Sequence, residues 1–307
     1  MSALNPRRIA LIGFGEVGTT LAAGLMAIGG YEITTYDILL DDPARGAAMR
    51  EKARALKVEP CGAAAEAAAG AQIVISAVTA ASSRSVAEGA AQFLKPEQFF
   101  LDLNSVSPET KRASAAAIGG KARYVEAAVM APIAPYGLKV PMSLGGKHAA
   151  ALKALLDPAD MALTVVATEI GRASAIKMCR SIMIKGIEAL AVECLMAARH
   201  YGVEDEILAS LERTYPAIGW EKQMGYLVSR CVEHGRRRAA EMRESADTVA
   251  ETGLEPLMAS AIAMRQDWVA DRVAEDPSLK KSPESAWRET IDRIRPGTRV
   301  QARKAAP

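Results

Sequence analysis

The chain has 307 residues, of which 50% are hydrophobic and 24% are charged, and its formal net charge is +2. That length gives room for two domains with substantial cores. The small net charge, and aromatic residues that are not interleaved with basic ones, argue against nucleic acid as a partner. The cysteines form no CxxC pair and no apolar run is long enough to span a membrane, so we expect a cytoplasmic protein with no metal site and no membrane partner.

A short apolar run over residues 7–12 leads directly into a glycine-rich turn and then into a helical pattern through residue 26. The turn consists of Gly13, Phe14, Gly15, Glu16, Val17 and Gly18. The first glycine permits a tight turn, the second lets the backbone approach a pyrophosphate, and the third lets the helix pack closely on its strand. We therefore predict that these six residues bind a dinucleotide whose phosphates lie at the helix N-terminus.

The next strand is predicted at residues 31–36 and ends at Asp37, which lies 22 residues after Gly15. An acidic side chain at this place accepts hydrogen bonds from a ribose 2′-hydroxyl and repels a 2′-phosphate, so NAD is favoured over NADP as the cofactor. The alternative is a glycine turn without a ligand, with Asp37 as a helix cap or a solvated loop residue.

Strands and helices continue to alternate along the first half of the chain. Helices are predicted at 43–56 and 83–94, and strands at 71–78 and 99–103. Repeated units of this length predict an α/β fold with a doubly wound parallel sheet. Ligands of such sheets bind beyond the carboxyl ends of the strands, so we predict that Val78, Thr79 and Asn104 contact the cofactor and that Ser105 contacts the substrate.

After residue 122 the pattern changes. Strands are predicted at 124–130, 141–145 and 163–168, with a helix at 148–156. The turn that follows the first of these strands leaves the sheet at the same edge, which makes Met130 and Ala131 candidate substrate contacts. By contrast, Ser107 precedes Pro108 at a predicted helix start and is expected to cap that helix.

Residues 173–200 contain no proline and only one glycine, Gly186, so they predict a single long helix. Lys177, Ser181 and Glu188 share one side of it at spacings of four and seven, and Lys185 lies at the edge of that face. Its apolar positions are expected to need packing partners, in part from a second subunit. These positions are Ile182, Ile187, Leu190, Leu195 and Met196.

Nearly everything after residue 201 is predicted to be helical, at 204–215, 220–251 and 255–274. The basic run that contains His234, Arg236, Arg237 and Arg238 either binds an acidic substrate or forms a solvated helix face. The predicted organisation is a dinucleotide-binding domain at 1–170, an interdomain helix at 171–201, a helical domain at 202–295 and a disordered tail at 296–307.

Several of these motifs together resemble the β-hydroxyacid dehydrogenase superfamily, whose members include 3-hydroxyisobutyrate, tartronate semialdehyde and 6-phosphogluconate dehydrogenases. The motifs are the glycine turn, Asp37, the segment Asp102-x-x-Ser105-x-Ser107-Pro108, and Gly171 ahead of Ala175-Ile176-Lys177-Met178. The segments 177–181 and 234–237 are similar to a bacterial subgroup with a poorly characterised C-terminal helical domain. The resemblance implies a Rossmann domain, a long interdomain helix, an all-α C-terminal domain and a homodimer.

The resemblance also implies a catalytic role for Lys177, because a lysine near the start of the long helix is the general acid or base of hydride transfer in this superfamily. Alcohol oxidation needs a base for the hydroxyl proton, and a desolvated lysine can have its pKa lowered into a useful range.

Three departures from the superfamily pattern bear on the substrate. Ser181 stands where the superfamily has an asparagine that holds the substrate. The usual substrate turn is replaced by residues 126–132, which lack its serine and glycines, and Ala240 and Glu241 replace a later lysine and aspartate. These changes predict a substrate that is larger or more apolar than the usual hydroxy acids.

The resulting hypothesis is an NAD(P)-dependent oxidoreductase that acts on a hydroxy acid or a related alcohol or carbonyl compound. One alternative is an imine reductase, because the apolar turn at 130–135 is similar to that of imine reductases, although those enzymes usually lack the lysine. A second alternative is a protein that binds NAD without turnover.

Overall fold

The computed structural model describes residues 7–295, so the predicted disordered tail at 296–307 lies outside the described residues. The chain divides into two compact units, the first ending at Met178 and the second beginning at Cys179. This division falls inside the long helix, whereas the sequence predicted that the helix would stand between two domains.

The first unit is built on an eight-stranded sheet of order β3-β2-β1-β4-β5-β6-β7-β8. The strands are β1 (Arg7–Ile12), β2 (Tyr31–Tyr36), β3 (Glu59–Pro60), β4 (Ile73–Ser76), β5 (Phe99–Asp102), β6 (Arg123–Val129), β7 (Met142–Gly145) and β8 (Leu163–Ala167). The strands from β3 to β6 pair in parallel, and the order reverses between β1 and β4. The predicted doubly wound parallel arrangement is confirmed for these strands.

Strand β7 departs from the parallel arrangement, because it runs antiparallel to β6 and parallel to β8. A parallel crossover usually requires a helix packed on the sheet. The connection between β6 and β7 contains only the short helix α6 (Ile133–Tyr136), so the chain turns back and pairs in the opposite direction.

The described residues of the first unit contain seven complete α-helices. They are α1 (Glu16–Ile28), α2 (Gly46–Ala55), α3 (Ala64–Ala68), α4 (Ala80–Ala90), α5 (Pro108–Ile118), α6 and α7 (Ala149–Leu156). The start of α2 is later than predicted because the Asp42 carboxylate accepts hydrogen bonds from the backbone N–H groups of Ala44 and Arg45, at 2.9 and 3.0 Å, and forms a turn there.

Apolar side chains cover both faces of this sheet. In β1, Ile9 and Leu11 belong to one buried cluster, whereas Ala10 and Ile12 belong to a cluster on the other face. Every residue of β4 and β5 is buried. Strands buried on both faces read as continuous apolar runs, which explains why the sequence predicted them so clearly.

The second unit is all-α, as predicted. The helix α8 (Arg172–Tyr201) begins in the first unit and continues into the second, where α9 (Glu204–Thr214), α10 (Trp220–Ala250), α11 (Leu257–Glu275) and α12 (Trp287–Ile294) follow. Its core includes Leu195, Cys231 and Trp287. Helix α12 was not predicted, although it contributes the buried Trp287. Between residues 7 and 295, no helix combines the length and the apolar character that crossing a bilayer requires.

Candidate functional site

The glycine turn between β1 and α1 lies at the point where the strand order reverses. Gly13 has φ of +97°, and a Cβ there would overlap the carbonyl oxygen of Ala77, which follows β4. A Cβ at Gly18 would overlap the carbonyl oxygen of Gly13. A Cβ at Gly15 would meet nothing within 4 Å, so the backbone there faces open space. Gly13 and Gly18 therefore permit close packing, and Gly15 leaves room for a phosphate group, as a dinucleotide-binding turn requires.

The N-terminus of α1 begins at this open space. Gly15 is the N-cap residue and has no side chain that could bond the first N–H groups of the helix, so these donors suit an anion. Phe14 is fully buried, Val17 packs against the core and Glu16 is exposed. Of the predicted cofactor residues, Phe14 and Val17 thus secure the turn and can serve a ligand only through their backbone.

Asp37 connects the end of β2 to the same turn. Its Oδ2 accepts a hydrogen bond of 2.6 Å from the backbone N–H of Phe14, and its Oδ1 accepts one of 2.9 Å from Leu39. The carboxylate thus caps the helical turn Ile38–Asp41, as one of the two interpretations of the sequence proposed. It also lies beside the glycine turn, where the other interpretation places a ribose.

Asn104 ties together the ends of β4 and β5. Its Oδ1 accepts a hydrogen bond of 2.7 Å from the backbone N–H of Val78, and its Nδ2 donates to Ser76 Oγ at 2.9 Å and Ser83 Oγ at 3.2 Å. Asn104 is buried, whereas Thr79, at the start of α4, is exposed. A direct contact between Asn104 and the cofactor stays a prediction, because its side chain already binds the neighbouring strand end.

Lys177 reaches the loop after β5. Its Nζ donates a hydrogen bond to Ser105 Oγ, and Ser105 is half-buried. One turn earlier in α8, the Ser174 hydroxyl donates to the carbonyl oxygen of Val106. The first turns of α8 are therefore bonded to the loop that follows β5, at the edge where ligands of such sheets bind. The neighbouring Ser107 caps α5 by accepting from Thr110 N, which confirms its predicted capping role.

Glu126 is a further residue at this edge, and it was not predicted to have a role of its own. It is fully buried in β6, and its Oε1 accepts hydrogen bonds from Gly171 N at 2.7 Å and Ala173 N at 3.1 Å. Burial raises the pKa of this carboxyl, while nearby Lys111 opposes that shift. The available signal was a single acidic residue inside an apolar strand, where a carboxylate needs buried partners.

A buried ion pair lies next to Glu126. Lys111 Nζ bonds Asp102 Oδ1 at 2.8 Å and the Asp102 carbonyl oxygen at 2.9 Å. The Tyr124 hydroxyl donates to Asp102 Oδ2 at 2.7 Å, and burial raises the pKa of Tyr124 well above its ordinary value. Asp102, at the end of β5, is paired with Glu126 in the middle of β6, so the polar cluster spans these two adjacent strands.

The turn after β6 carries the predicted substrate residues Met130 and Ala131. The backbone N–H of Met130 donates to the carbonyl oxygen of Pro141 at 2.9 Å, which fixes the start of the turn. Both residues are half-buried, and Ala131 packs against the core. Met130 carries a flexible apolar side chain, which suits an apolar ligand.

In the second unit, Ser181 lies in a buried polar cluster. Its Oγ accepts a hydrogen bond of 2.9 Å from Lys185 Nζ, and Lys185 pairs with Glu241 at 3.0 Å. Glu188 pairs with Arg238 at 3.0 Å. Burial lowers the pKa of Lys185 and raises the pKa of Glu188.

The basic run of α10 forms ion pairs within the same unit. Arg236 bonds Asp267 at 2.6 Å, Arg237 bonds Glu241 at 2.9 Å, and Arg238 bonds Glu188. His234 has a pKa lowered to about 4 by burial and by neighbouring arginines. These pairings favour a structural role for the run over the binding of an acidic substrate.

Residues 8–132 match the family described as the NAD binding domain of 6-phosphogluconate dehydrogenase, and residues 198–269 match a domain of unknown function, DUF1932. The structure is also similar to proteins of low sequence identity. A 3-hydroxyisobutyrate dehydrogenase from Mycobacterium tuberculosis has a TM-score of 0.69 at 19% identity, covering 94% of this chain and 99% of that one. An imine reductase from Myxococcus stipitatus, in complex with NADP+, has a TM-score of 0.53 at 17% identity over 88% and 95%. These two likenesses concern the fold alone.

Three relatives are more similar in sequence. A conserved hypothetical protein from Sinorhizobium meliloti is 39% identical, with a TM-score of 0.78 over 94% of this chain and 95% of its own. A conserved protein of unknown function, described as structurally similar to 3-hydroxyacid dehydrogenases, is 32% identical, with a TM-score of 0.70 over 86% and 97%. An uncharacterized 28.5 kDa protein of Methanothermus fervidus is 30% identical over 82% of this chain and 94% of its own. The chain therefore belongs to the family that joins a 6-phosphogluconate dehydrogenase-type NAD-binding domain to the DUF1932 domain, with the fold of the 3-hydroxyacid dehydrogenases.

Proposed function

We propose that the protein is an NAD-linked oxidoreductase that transfers hydride between the nicotinamide and a hydroxy acid or a related alcohol or carbonyl compound. The observation that carries the proposal is the hydrogen bond from Lys177 Nζ to Ser105 Oγ. Ser105 follows β5, next to β4 and near the glycine turn after β1, so the amine belongs to the ligand edge of the sheet. A lysine there can move a proton while hydride is transferred.

The residues of the first unit divide the work of the reaction. The N-terminus of α1 and the backbone at Gly15 hold the pyrophosphate, and Asp37 accepts the ribose hydroxyls. A bound nicotinamide supplies the hydride-transfer chemistry. Lys177 accepts the hydroxyl proton of the substrate in oxidation and returns it in reduction, while Ser105 holds the amine in place. Met130 and Ala131 are the proposed substrate contacts of this unit, and Ser181, in the second unit, stays a prediction from the sequence.

A Lys177→Ala variant tests the proposal directly. We expect turnover to fall by about two to four orders of magnitude, the usual contribution of a general acid or base. The affinity for NADH, measured by fluorescence titration, should stay unchanged. Lys95→Ala removes an exposed lysine of the same unit and is the matched control. Near-normal turnover by Lys177→Ala would remove the proposed role.

The substrate class must be found by screening, because the substrate turn departs from the superfamily pattern. A panel of hydroxy acids, sugar acids and aryl alcohols, monitored by absorbance with both cofactors, covers the proposed chemistry. The apolar Met130 and the neighbouring Ala131 favour compounds that are larger or more apolar than 3-hydroxyisobutyrate. Cofactor binding without turnover on any member would instead support a protein that uses NAD as a structural or sensing ligand.

Imine reduction is the second candidate, favoured by the apolar turn at 130–135. Imines and their parent carbonyl and amine pairs belong in the same screen. Reduction of an imine by the wild-type protein together with full retention of that activity in Lys177→Ala would favour this candidate over alcohol oxidation.

We further propose a preference for NAD over NADP. The Asp37 carboxylate lies beside the glycine turn and accepts a hydrogen bond from the backbone N–H of Phe14. In the proposed binding mode a 2′-phosphate would therefore lie next to a carboxylate. We expect NADH to bind more tightly than NADPH. The Asp37→Ser variant should show a smaller difference between the Kd values for the two cofactors. Tighter binding of NADPH by the wild-type protein would overturn the preference.

A homodimer is also proposed, because part of α8 exposes a continuous apolar face. Met183, Ile184, Ile187 and Leu190 are 40–64% exposed, whereas Leu195 is buried within its own unit. Contiguous exposed apolar surface of this kind marks an interaction site, and a second copy of the chain is the proposed partner. Light scattering should give twice the chain mass, and Ile187→Glu with Leu190→Glu should give monomers. A monomeric wild-type protein at micromolar concentration would contradict the proposal.

A further inference from the structure

The start of α8 lacks a cap from its own sequence. The residue before the helix is Gly171, which has φ of +97° and no side chain that could accept a hydrogen bond from the first turn. Helices usually satisfy these N–H groups with a nearby Ser, Thr, Asp or Asn. Here the acceptor is Glu126 Oε1, a residue of β6 that is 45 positions away from Gly171 in the chain.

The structure makes room for this carboxylate. Gly145 of β7 is paired with Glu126 across the antiparallel ladder, and a Cβ at Gly145 would overlap Glu126 Oε1. In this position the carboxylate that contacts Gly171 and Ala173 occupies the space that a side chain at position 145 would fill. The other carboxylate oxygen, Oε2, is buried and has no hydrogen-bond partner among the described residues.

The bonded backbone groups lie close to Lys177 along the helix. Ala173 is four residues before Lys177, which is about one helical turn or roughly 6 Å along the axis. Helical residues move together as a rigid segment over such a length, so the place where α8 begins sets the place from which Lys177 projects. Ser174, between them, bonds the loop after β5, which is the loop that also carries Ser105.

From these contacts we propose that Glu126 is a positioning residue for Lys177: by holding the backbone of Gly171 and Ala173 from inside the sheet, it fixes the amine against Ser105 at the ligand edge. In this proposal Glu126 acts through the backbone of α8. The inference rests on the proposed function where it concerns turnover, but the position of the Lys177 amine can be measured without a substrate.

Two substitutions separate the hydrogen bonds from the bulk of the side chain. Glu126→Gln keeps a carbonyl oxygen that can accept from both N–H groups, whereas Glu126→Leu keeps a similar volume and removes the acceptor. Displacement of a catalytic group by about 1 Å can cost up to about a hundredfold in rate. We expect Glu126→Leu to lower kcat by roughly tenfold to a hundredfold with an unchanged Kd for NADH, and Glu126→Gln to stay within about threefold of the wild type.

Glu97→Leu is the matched control, because it removes the same group from an exposed position of the same unit. It should leave kcat and the Kd for NADH unchanged. Wild-type kcat in a folded Glu126→Leu protein would overturn the proposal. An equal loss in Glu126→Leu and Glu126→Gln would also overturn it, because the acceptor oxygen would then not be the determining feature.

A second readout follows the Lys177 amine itself. Acetylation by acetic anhydride, in competition with a free amine of known pKa, gives the reaction rate of Lys177 once the labelled peptide is quantified by mass spectrometry. We expect a changed rate in Glu126→Leu and a wild-type rate in Glu126→Gln and Glu97→Leu. If the wild-type protein shows no turnover on any substrate, the proposed function fails, and this rate alone decides the positioning role.

Folding of the variants is checked by circular dichroism before either measurement. If Glu126→Leu does not fold, Glu126→Asp takes its place, because it keeps the charge but shortens the reach by one carbon. A changed acetylation rate of Lys177 in Glu126→Asp supports the positioning role of Glu126, and an unchanged rate overturns it.

Discussion

Each unit buries a cluster of charged side chains, but the two clusters hold different parts of the chain. In the first unit, Lys111 bonds both the carboxylate and the backbone carbonyl of Asp102, and Glu126 bonds the N–H groups at the start of α8. In the second unit, Lys185 and Glu241, and Arg238 and Glu188, bond side chain to side chain. The first cluster thus fixes where elements begin and end, whereas the second joins faces of helices that are already formed.

The difference indicates which buried partners can be removed with a small loss of stability. A backbone group cannot move to a new partner without moving its element, so a missing partner leaves it unsatisfied. A side chain on a helix face can turn toward water or toward a second partner, as Glu241 does with Arg237. We therefore expect that removing a buried cation lowers the free energy of unfolding more in the first cluster than in the second.

The largest expected effect is that of Lys111→Met. Lys111 and Asp102 are each 1% exposed, so the variant leaves a buried carboxylate without its cation. Breaking such a pair costs about 3–5 kcal/mol, which urea unfolding followed by circular dichroism measures. Lys95→Met, at an exposed site, should stay within about 0.5 kcal/mol of the wild type. A loss below about 1 kcal/mol for Lys111→Met would mean that the ion pair does not set the stability of the first unit.

Arg238→Leu should come next, with a loss of about 3 kcal/mol in the free energy of unfolding. Glu188 is 1% exposed and would lose its ion pair with Arg238, although Gln266 Nε2 still bonds its Oε2 at 3.3 Å. Adding Glu188→Leu should recover part of the loss, because replacing both members of a buried pair removes the unpaired charge. A double-mutant cycle measures this coupling, and strictly additive losses would show that the pair is not coupled.

Lys185→Met should have a smaller effect, about 1–2 kcal/mol. Its partner Glu241 is 19% exposed and retains a bond of 2.9 Å to Arg237, so the carboxylate is not left unpaired. The same unfolding measurement applies. A loss greater than that of Arg238→Leu would reverse the ranking and would show that exposure of the partner does not govern the cost.

The smallest effect concerns pH and His234. The pKa of His234 is lowered to about 4 in the folded protein from an ordinary value of 6.5, through burial and the charges of Arg230, Arg237 and Arg238, opposed by Glu241. Between these two values the unfolded chain binds a proton that the folded chain does not, so this residue makes stability fall as pH falls from 6.5 toward 4. Other groups titrate in the same range, so the comparison is with His234→Asn. Its melting temperature should fall less over that range, and parallel curves for the two proteins would contradict the assignment.

Local patterns in the sequence predicted the first unit well. The glycine turn, Asp37 and the apolar strands are each defined by residues that are close in the chain, and the structure brings Asp37 to Phe14 as their spacing suggested. The short β3 and α3 were missed because an alanine-rich stretch has neither a clear strand period nor strong caps. The start of α2 was placed early because the turn at Asp42 resembles a helix start.

Contacts between distant residues could not be predicted in this way. Glu126 meets Gly171 across 45 positions, and no local pattern relates the two. Asn104 was predicted from its place at a strand end, but only the structure shows that Ser76 and Val78 occupy its side chain. The basic run of α10 was left open between two interpretations, because its partners Glu188, Asp267 and Asp271 lie on other helices.

The absence of a side chain at Gly145 limits how this sequence can vary. A Cβ there would overlap Glu126 Oε1, so a larger residue at position 145 requires the Glu126 carboxylate to move away from Gly171 and Ala173. Gly145→Ala should be tolerated when it is combined with Glu126→Asp, whose shorter side chain withdraws from the space, and not when it is made alone. The residues tolerated at position 145 of β7 therefore depend on how Glu126 holds the start of α8. We expect positions 126 and 145 to vary together when the sequences of relatives are compared.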